Sequence, residues 1–281
     1  MTATAPESIA NTYAGIDDLK ARMGIAGTTN DSVLWSTLNA ASRAVDRYCN
    51  RHFYALEDVR MFDIEDSCRV AIPDLATATE ILEDRDGDRV FETVRTASQY
   101  ALYPLNAAPT SANGRPYSEI RSDLGVGVDG FAVGRSRLSI EGHWGYRYHT
   151  EETGSTVSSG GGISSTVTVV PVDAVNEIQA GMTLLIEGEQ MFVRFVNGTN
   201  LTVRRGVNGT ATATHADASV ISFVVFPAEV SEATALLAAR YWKSKDATSA
   251  ELAGAAGFGP IRVRAGFDVE LSLPSRRFRR G

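Results

Sequence analysis

The 281-residue sequence predicts an α+β protein, a core of helices with a small β region into which a small antiparallel β-barrel is inserted. Three observations carry that expectation. Helical periodicity marks the two ends of the chain, short β-type runs fill the part between them, and a Gly/Ser tract separates two groups of those runs. The length allows one large domain or two modest ones. With 43% hydrophobic and 22% charged residues the composition is that of a chain able to bury a core.

The first helical segment is Ile16 to Met23, stopped at Gly24. The second begins at Asn30 or Asp31, both suitable caps, and Leu34, Leu38, Ala41, Val45 and Tyr48 recur at spacings of four and three. They form one face; Ser36, Asn39, Arg43, Asp46 and Arg47 form the other. From Phe53 to Tyr146 the texture changes to short runs, residues 69–72, 78–82 and 137–141, with residues 106–116 as a surface loop. A Gly/Ser linker is expected over residues 150–163. Beyond it, five β-type runs at residues 166–170, 183–186, 191–196, 201–203 and 220–225 predict the barrel, residues 164–225. Asn197-Gly198 is its clearest hairpin turn, since both residues tolerate positive φ. Pro227 then suits a helix start, with Val230, Ala233, Thr234, Leu237 and Tyr241 on one face. The expected core is therefore residues 1–149 plus 226–281, ending in an arm, residues 274–281, that has no apolar periodicity.

Charge and motifs exclude more than they assign. A net charge of -7 argues against a surface built wholly to neutralise nucleic-acid phosphates, and Arg outnumbers Lys 24 to 3. Cys49 and Cys68 offer neither a disulfide framework nor a zinc spacing. No basic leader with an apolar run, and no stretch of eighteen apolar residues, points to secretion or a membrane; synthesis in a cytosol is the expectation. Gly125, Gly127 and Gly130 match a dinucleotide fingerprint by letter, but the run after them is strand-like where a helix must receive the pyrophosphate. Residues 84–88, with three aspartates, lack the glycine and glutamate of a calcium loop and read as a hairpin turn. His52, His143, His149 and His215 are scattered, and Gly134 to Leu138 lacks the second glycine of a nucleophile elbow. No catalytic residue, metal ligand or cofactor is expected, and the chain is read as a non-enzyme.

Two stretches carry a resemblance. They are residues 41–54, Ala41-Ser42-Arg43-Ala44-Val45-Asp46-Arg47-Tyr48-Cys49-Asn50-Arg51-His52-Phe53-Tyr54, and residues 238–247, Ala238-Ala239-Arg240-Tyr241-Trp242-Lys243-Ser244-Lys245-Asp246-Ala247, followed by Gly257-Phe258-Gly259-Pro260-Ile261. Both resemble head-tail connector, or adaptor, proteins of long-tailed phages, and Leu138 to Tyr146, ahead of a proline-started helix, fits the same pattern. The segment from Gly188-Glu189-Gln190-Met191-Phe192-Val193 through Val203-Arg204-Arg205-Gly206-Val207-Asn208-Gly209-Thr210 to His215 resembles a small β module of phage structural proteins.

The resemblance implies a helical-bundle connector core and a structural virion protein of the neck. It implies a homo-oligomeric ring, usually of twelve copies, between the portal protein and the stopper or tail-terminator protein, with DNA passing through the lumen without sequence-specific binding. The candidate ring contacts are Arg43, Arg47, Tyr241 and Trp242, with core packing as the alternative for the two aromatics. The candidate portal contacts are Arg276, Arg277, Phe278, Arg279 and Arg280; a solubilising tail or a weak DNA contact is the alternative. A virion decoration or receptor-binding role acting through the barrel is the rival reading of the whole.

Overall fold

The computed structural model describes residues 4–122, 129–244 and 278. The protein is mostly β, with two six-stranded sheets and, among the described residues, three α-helices. This overturns the expected helical-bundle core. The physical reason lies in residues 56–144, where runs taken as a few short strands among long loops belong to one extended sheet.

Three α-helices are α1 (Ile16–Met23), α2 (Asp31–Cys49) and α3 (Ala228–Ser244). Gly24 ends α1 in a left-handed conformation at φ 67°, its N–H reaching Ala21 O while Ile25 N–H reaches Lys20 O. Asn30 caps α2 through its carbonyl, which accepts from Leu34 N–H, and not through its side chain. Asp31 is instead fully buried against Lys20 Nζ at 2.8 Å. The predicted stripe is buried at Leu34, Leu38, Ala41 and Val45, and Trp35 joins it. Pro227 O accepts from Val230 and Ser231 N–H at the start of α3.

The first sheet comprises β1 (Leu56–Ile64), β2 (Arg69–Glu83), β3 (Thr93–Val94), β4 (Tyr100–Tyr103), β5 (Tyr117–Ser122) and β6 (Gly134–Trp144), in the order β1-β6-β2-β5-β4 with β3 paired to β2. Two predicted runs fuse into the single strand β2. Its pairing with β5 shifts between Ala71 and Leu75, a segment holding Pro73, which has no N–H to give the ladder.

The second sheet comprises β7 (Thr150–Thr156), β8 (Val169–Pro171), β9 (Thr183–Ile186), β10 (Glu189–Asn197), β11 (Asn200–Arg204) and β12 (Val220–Val224), in the order β7-β12-β9-β10-β11-β8. All five predicted runs overlap strands, although residues 166–168 of the first and residue 225 of the last lie outside them. The β10–β11 hairpin turns at Gly198, φ 58°, with Asn197 opposite Asn200. A bridge between Val157 and Val172, just beyond β7 and β8, joins the two edges of this sheet, so it closes on itself. The first half of the expected linker is therefore strand β7. Its inward residues are Thr153 and Ser155, with Thr153 Oγ1 donating to Ile221 O at 2.8 Å, so the alternation was hidden in hydroxyls.

By contact the chain divides into two compact units: residues 1–50, 152–207 and 212–281, and residues 51–151 with 208–211. Apart from Thr150 and Glu151 of β7, the second sheet falls in the same unit as the helices. Ala180, Phe192 and Val207 share one buried cluster with Ile16, Leu34, Trp35, Leu38 and Leu237. Gly181, at φ 99°, lies so close to Trp35 that an added Cβ would meet the indole at 3.2 Å. Ala5 N–H donates to Arg194 O, and Arg194 Nε donates back to Ala5 O, which laces the N-terminal segment onto β10. The other unit has its own core of Ile72, Leu75, Ile120, Leu138, Ile140 and Trp144.

Candidate interaction surfaces

The candidate ring residues differ in what their side chains are free to do. Arg43 is engaged inside its own unit: Nε lies 2.9 Å from Asp46 Oδ2, Nη2 donates to Asn11 O at 3.0 Å, and the guanidinium sits 5.4 Å from the Tyr13 ring centre. Tyr13 O–H also donates to Asp46 at 2.5 Å, and Tyr13 N–H to Ser42 Oγ at 3.1 Å. Asp46, expected on the solvent face of α2, is accordingly 6% exposed. Arg47 is exposed on the same helix. On α3, Tyr241 is exposed and Trp242 is partly buried against the helical cluster. The arginines proposed for the arm, Arg276, Arg277, Arg279 and Arg280, lie outside the described residues. Phe278 is described, and at 2% exposed it is a buried side chain.

A polar network in the second sheet was not legible as chemistry in the sequence. Glu189, at the start of β10, accepts from Arg205 Nε at 2.7 Å, Arg205 Nη2 at 2.6 Å, Gly206 N–H at 3.0 Å and Ala213 N–H at 2.9 Å. His215 Nε2 lies 3.0 Å from Glu189, and its Nδ1 lies 3.2 Å from Glu187. Residues from separate parts of the sequence thus meet at one carboxylate, which ties β10 to the loop after β11. Burial raises the Glu189 pKa, but hydrogen bonds from Arg205, Ala213, His215 and Gly206 outweigh it and hold the carboxyl at about 2 instead of the ordinary 4.5. His215 fits the expectation of a packing residue, though with acid partners brought from Glu187 and Glu189.

The linkage has a definite sign. A carboxyl held lower in the folded than in the unfolded state stabilises the fold above its unfolded value and loses that contribution as pH falls. Glu189 is expected to support the second sheet fully above about pH 4.5 and to cease doing so by about pH 2. Thermal melts between pH 5 and pH 2 should show this loss, and Glu189→Gln should be less stable at pH 7 and flatter across that window. A variant with the wild-type slope would assign the acid sensitivity elsewhere.

Two further charged groups hold loops in the first-sheet unit. The buried pair Glu83–Arg95, 2.7 Å from Oε2 to Nε, also binds the carbonyls of Asp129 and Gly130 through Arg95. Asp84 accepts from Gly87 N–H at 2.6 Å and Arg89 N–H at 3.0 Å, as the predicted turn requires. Although burial raises the Asp84 pKa, these bonds and Arg137 bring it below the usual carboxylate range. Asp84, Asp86, Asp88 and Glu92 could bring ligand atoms within 4.8 Å of one another, but three of the four are exposed acids of a turn whose geometry needs no ion. Gly125 and Gly127 of the fingerprint lie outside the described residues. Among the described residues no helix is long and apolar enough to cross a membrane.

The α1–α2 pair and the first strands after it lie in the stretch of sequence that matches a known family. Residues 13–99 match the family model of phage gp6-like head-tail connector proteins. The match spans α1, α2 and β1 to β3, well short of half the chain, and includes Arg43 and Arg47. It indicates a phage head-tail connector role, a structural one within the virion that involves other phage head or tail proteins. The second sheet, Tyr241, Trp242 and the arm fall outside the match. No curated protein and no solved structure matches the chain.

Proposed function

We propose that the chain forms a ring between the portal protein and the stopper or tail-terminator protein, extending the DNA channel and joining head to tail without catalysing a reaction. The connector-family match over residues 13–99 carries this reading. A ring needs a heterologous contact repeated by rotation, which rigid helices supply well. Exposed Arg47 and Tyr241 are the contacts reaching a neighbouring copy, while Arg43 and Trp242 shape the surface beneath them. The net charge of -7 suits a channel along which DNA slides without tight phosphate contacts. The C-terminal arginines and Phe278 are the grip on the portal, because guanidinium forks match carboxylates bidentately.

Electron microscopy of portal-bearing heads incubated with the protein tests this. A ring of added density beneath the portal, usually of twelve copies, is the expected image, and undecorated portals would refute the reading. Free in solution, the protein should scatter light as a monomer or a weak associate until the portal supplies the symmetry. A tight two-fold dimer would count against a ring component.

A further inference from the structure

A cleft of about 790 Å3 opens within the helix-and-barrel unit, between the segment leading into α1, the start of β9, the end of β12 and the start of α3. One wall is aromatic: Tyr13 and Phe226 meet edge to face at 4.8 Å, with Met182 and Phe223 beside them. The polar lining is mainly acidic. Asp18, Glu177 and Glu232 line the cleft against one base, Arg22, which Glu232 already holds at 2.9 and 2.5 Å. Asp18 and Glu177 are thus left as net negative charge.

Buried oxygens at and beside this cleft also lack partners, and each can accept from an N–H. Thr183, 2% exposed, lines the cleft, and its Oγ1 has no hydrogen-bond partner. Gln179 Oε1, outside the lining itself but close against the lining residue Gly15, is likewise buried and unpartnered. A Cβ placed on Gly15 would lie 3.2 Å from Asp18 Oδ2 and 3.4 Å from Gln179 Oε1, so these two acceptors converge on one spot. Unmet acceptors beside an uncompensated carboxylate are complementary to a planar group with several N–H donors, and an aromatic wall takes the apolar residues on either side of it.

We propose that this cleft seats an extended, arginine-bearing apolar segment of a partner protein, its guanidinium placed at Asp18 and Gln179 and its apolar neighbours on Tyr13, Phe226 and Met182. The partner is a neighbouring protein of the virion, in keeping with the connector reading.

The probe is an acetylated, amidated peptide alternating arginine with phenylalanine and valine, titrated into the full chain by calorimetry. It is expected to bind, to protect the backbone of residues 13–22 and 223–226 from hydrogen exchange, and to bind on the order of tenfold more weakly to Asp18→Asn, which loses a charge-assisted bond. The same peptide with lysine for arginine should bind several-fold more weakly, since charge is kept and the fork is lost. Thr183→Val should weaken binding without lowering the melting temperature of the free chain, because its hydroxyl has no partner there. Absence of binding, binding indifferent to Asp18→Asn, or protection confined to other segments would overturn the assignment. Self-association of the chain that Asp18→Asn abolishes would also overturn it, by giving the cleft to a second copy. Peptide binding is read on the free chain and ring formation on portal-bearing heads, so either can fail without the other.

Discussion

Joining residue 150 directly to residue 226 through a short linker is expected to leave a chain with no cooperative melting transition, recovered mainly as insoluble protein. Such a deletion removes Ala180, Phe192 and Val207, which are buried in the same cluster as the three helices, and takes away the Gly181 backbone on which Trp35 rests. Losing one buried phenylalanine typically costs about 3–5 kcal/mol. Uncovering Leu34, Trp35, Leu38 and Leu237 as well exceeds the roughly 5–15 kcal/mol that holds an ordinary domain together. Phe192→Ala alone supplies the milder measurement: a soluble protein whose denaturant midpoint falls by an amount equivalent to about 3–5 kcal/mol. A soluble deletion that melts cooperatively near the temperature of the parent would show that the helices need no cover from the second sheet, and would make the inserted barrel of residues 164–225 a separable module.

Where the sequence was informative, the signal was local. The α2 stripe, the Gly24 stop, the Pro227 start and the hairpin turn at Gly198 each depend on a few adjacent residues whose conformational preferences survive packing, although Asn197 itself ends β10 instead of entering the turn. Where it misled, the deciding interactions were distant. Tyr100–Tyr103 and Tyr117–Ser122 are strands because they pair with each other and the second pairs with β2, but their half-buried, mixed composition carries no strong period. β7 hides its alternation in Thr153 and Ser155, whose hydroxyls are satisfied by Ile221 and Asn176. These strands, added to the legible ones, turn an expected helical core into a mostly β protein.

The interaction surfaces show the same division. Asp46 reads as solvent-facing by helical phase, and only the arrival of Tyr13 from outside the helix makes it a buried acceptor. Glu189, Arg205 and His215 are visible as a motif, yet nothing in their spacing says that they converge on one carboxylate. The acid pair and unmet oxygens of the cleft come from α1, the loops around β8 and β9, and β9 itself, so no window of sequence contains them.

Removing residues 275–281 is expected to abolish attachment to portal-bearing heads while leaving a folded protein of lowered stability. The second half of that expectation comes from Phe278. Outside any apolar periodicity it reads as a side chain free to anchor elsewhere, but in the free protein it is 2% exposed. Truncation therefore costs the burial of an aromatic ring, on the order of 2–3 kcal/mol, and docking through Phe278 would have to recover at least what its release costs. Replacing Arg276, Arg277, Arg279 and Arg280 by lysine separates the two roles, because it keeps Phe278 and the charge while removing the planar forks. That variant should melt as the parent does and bind portal measurably more weakly, and alanine at the four positions should bind more weakly still. Co-sedimentation with portal-bearing heads at moderate salt gives both readings. If the truncated chain sediments with portals as fully as the parent, the arm is not the grip; Phe278 is then a core residue only, and docking belongs to the body of the protein.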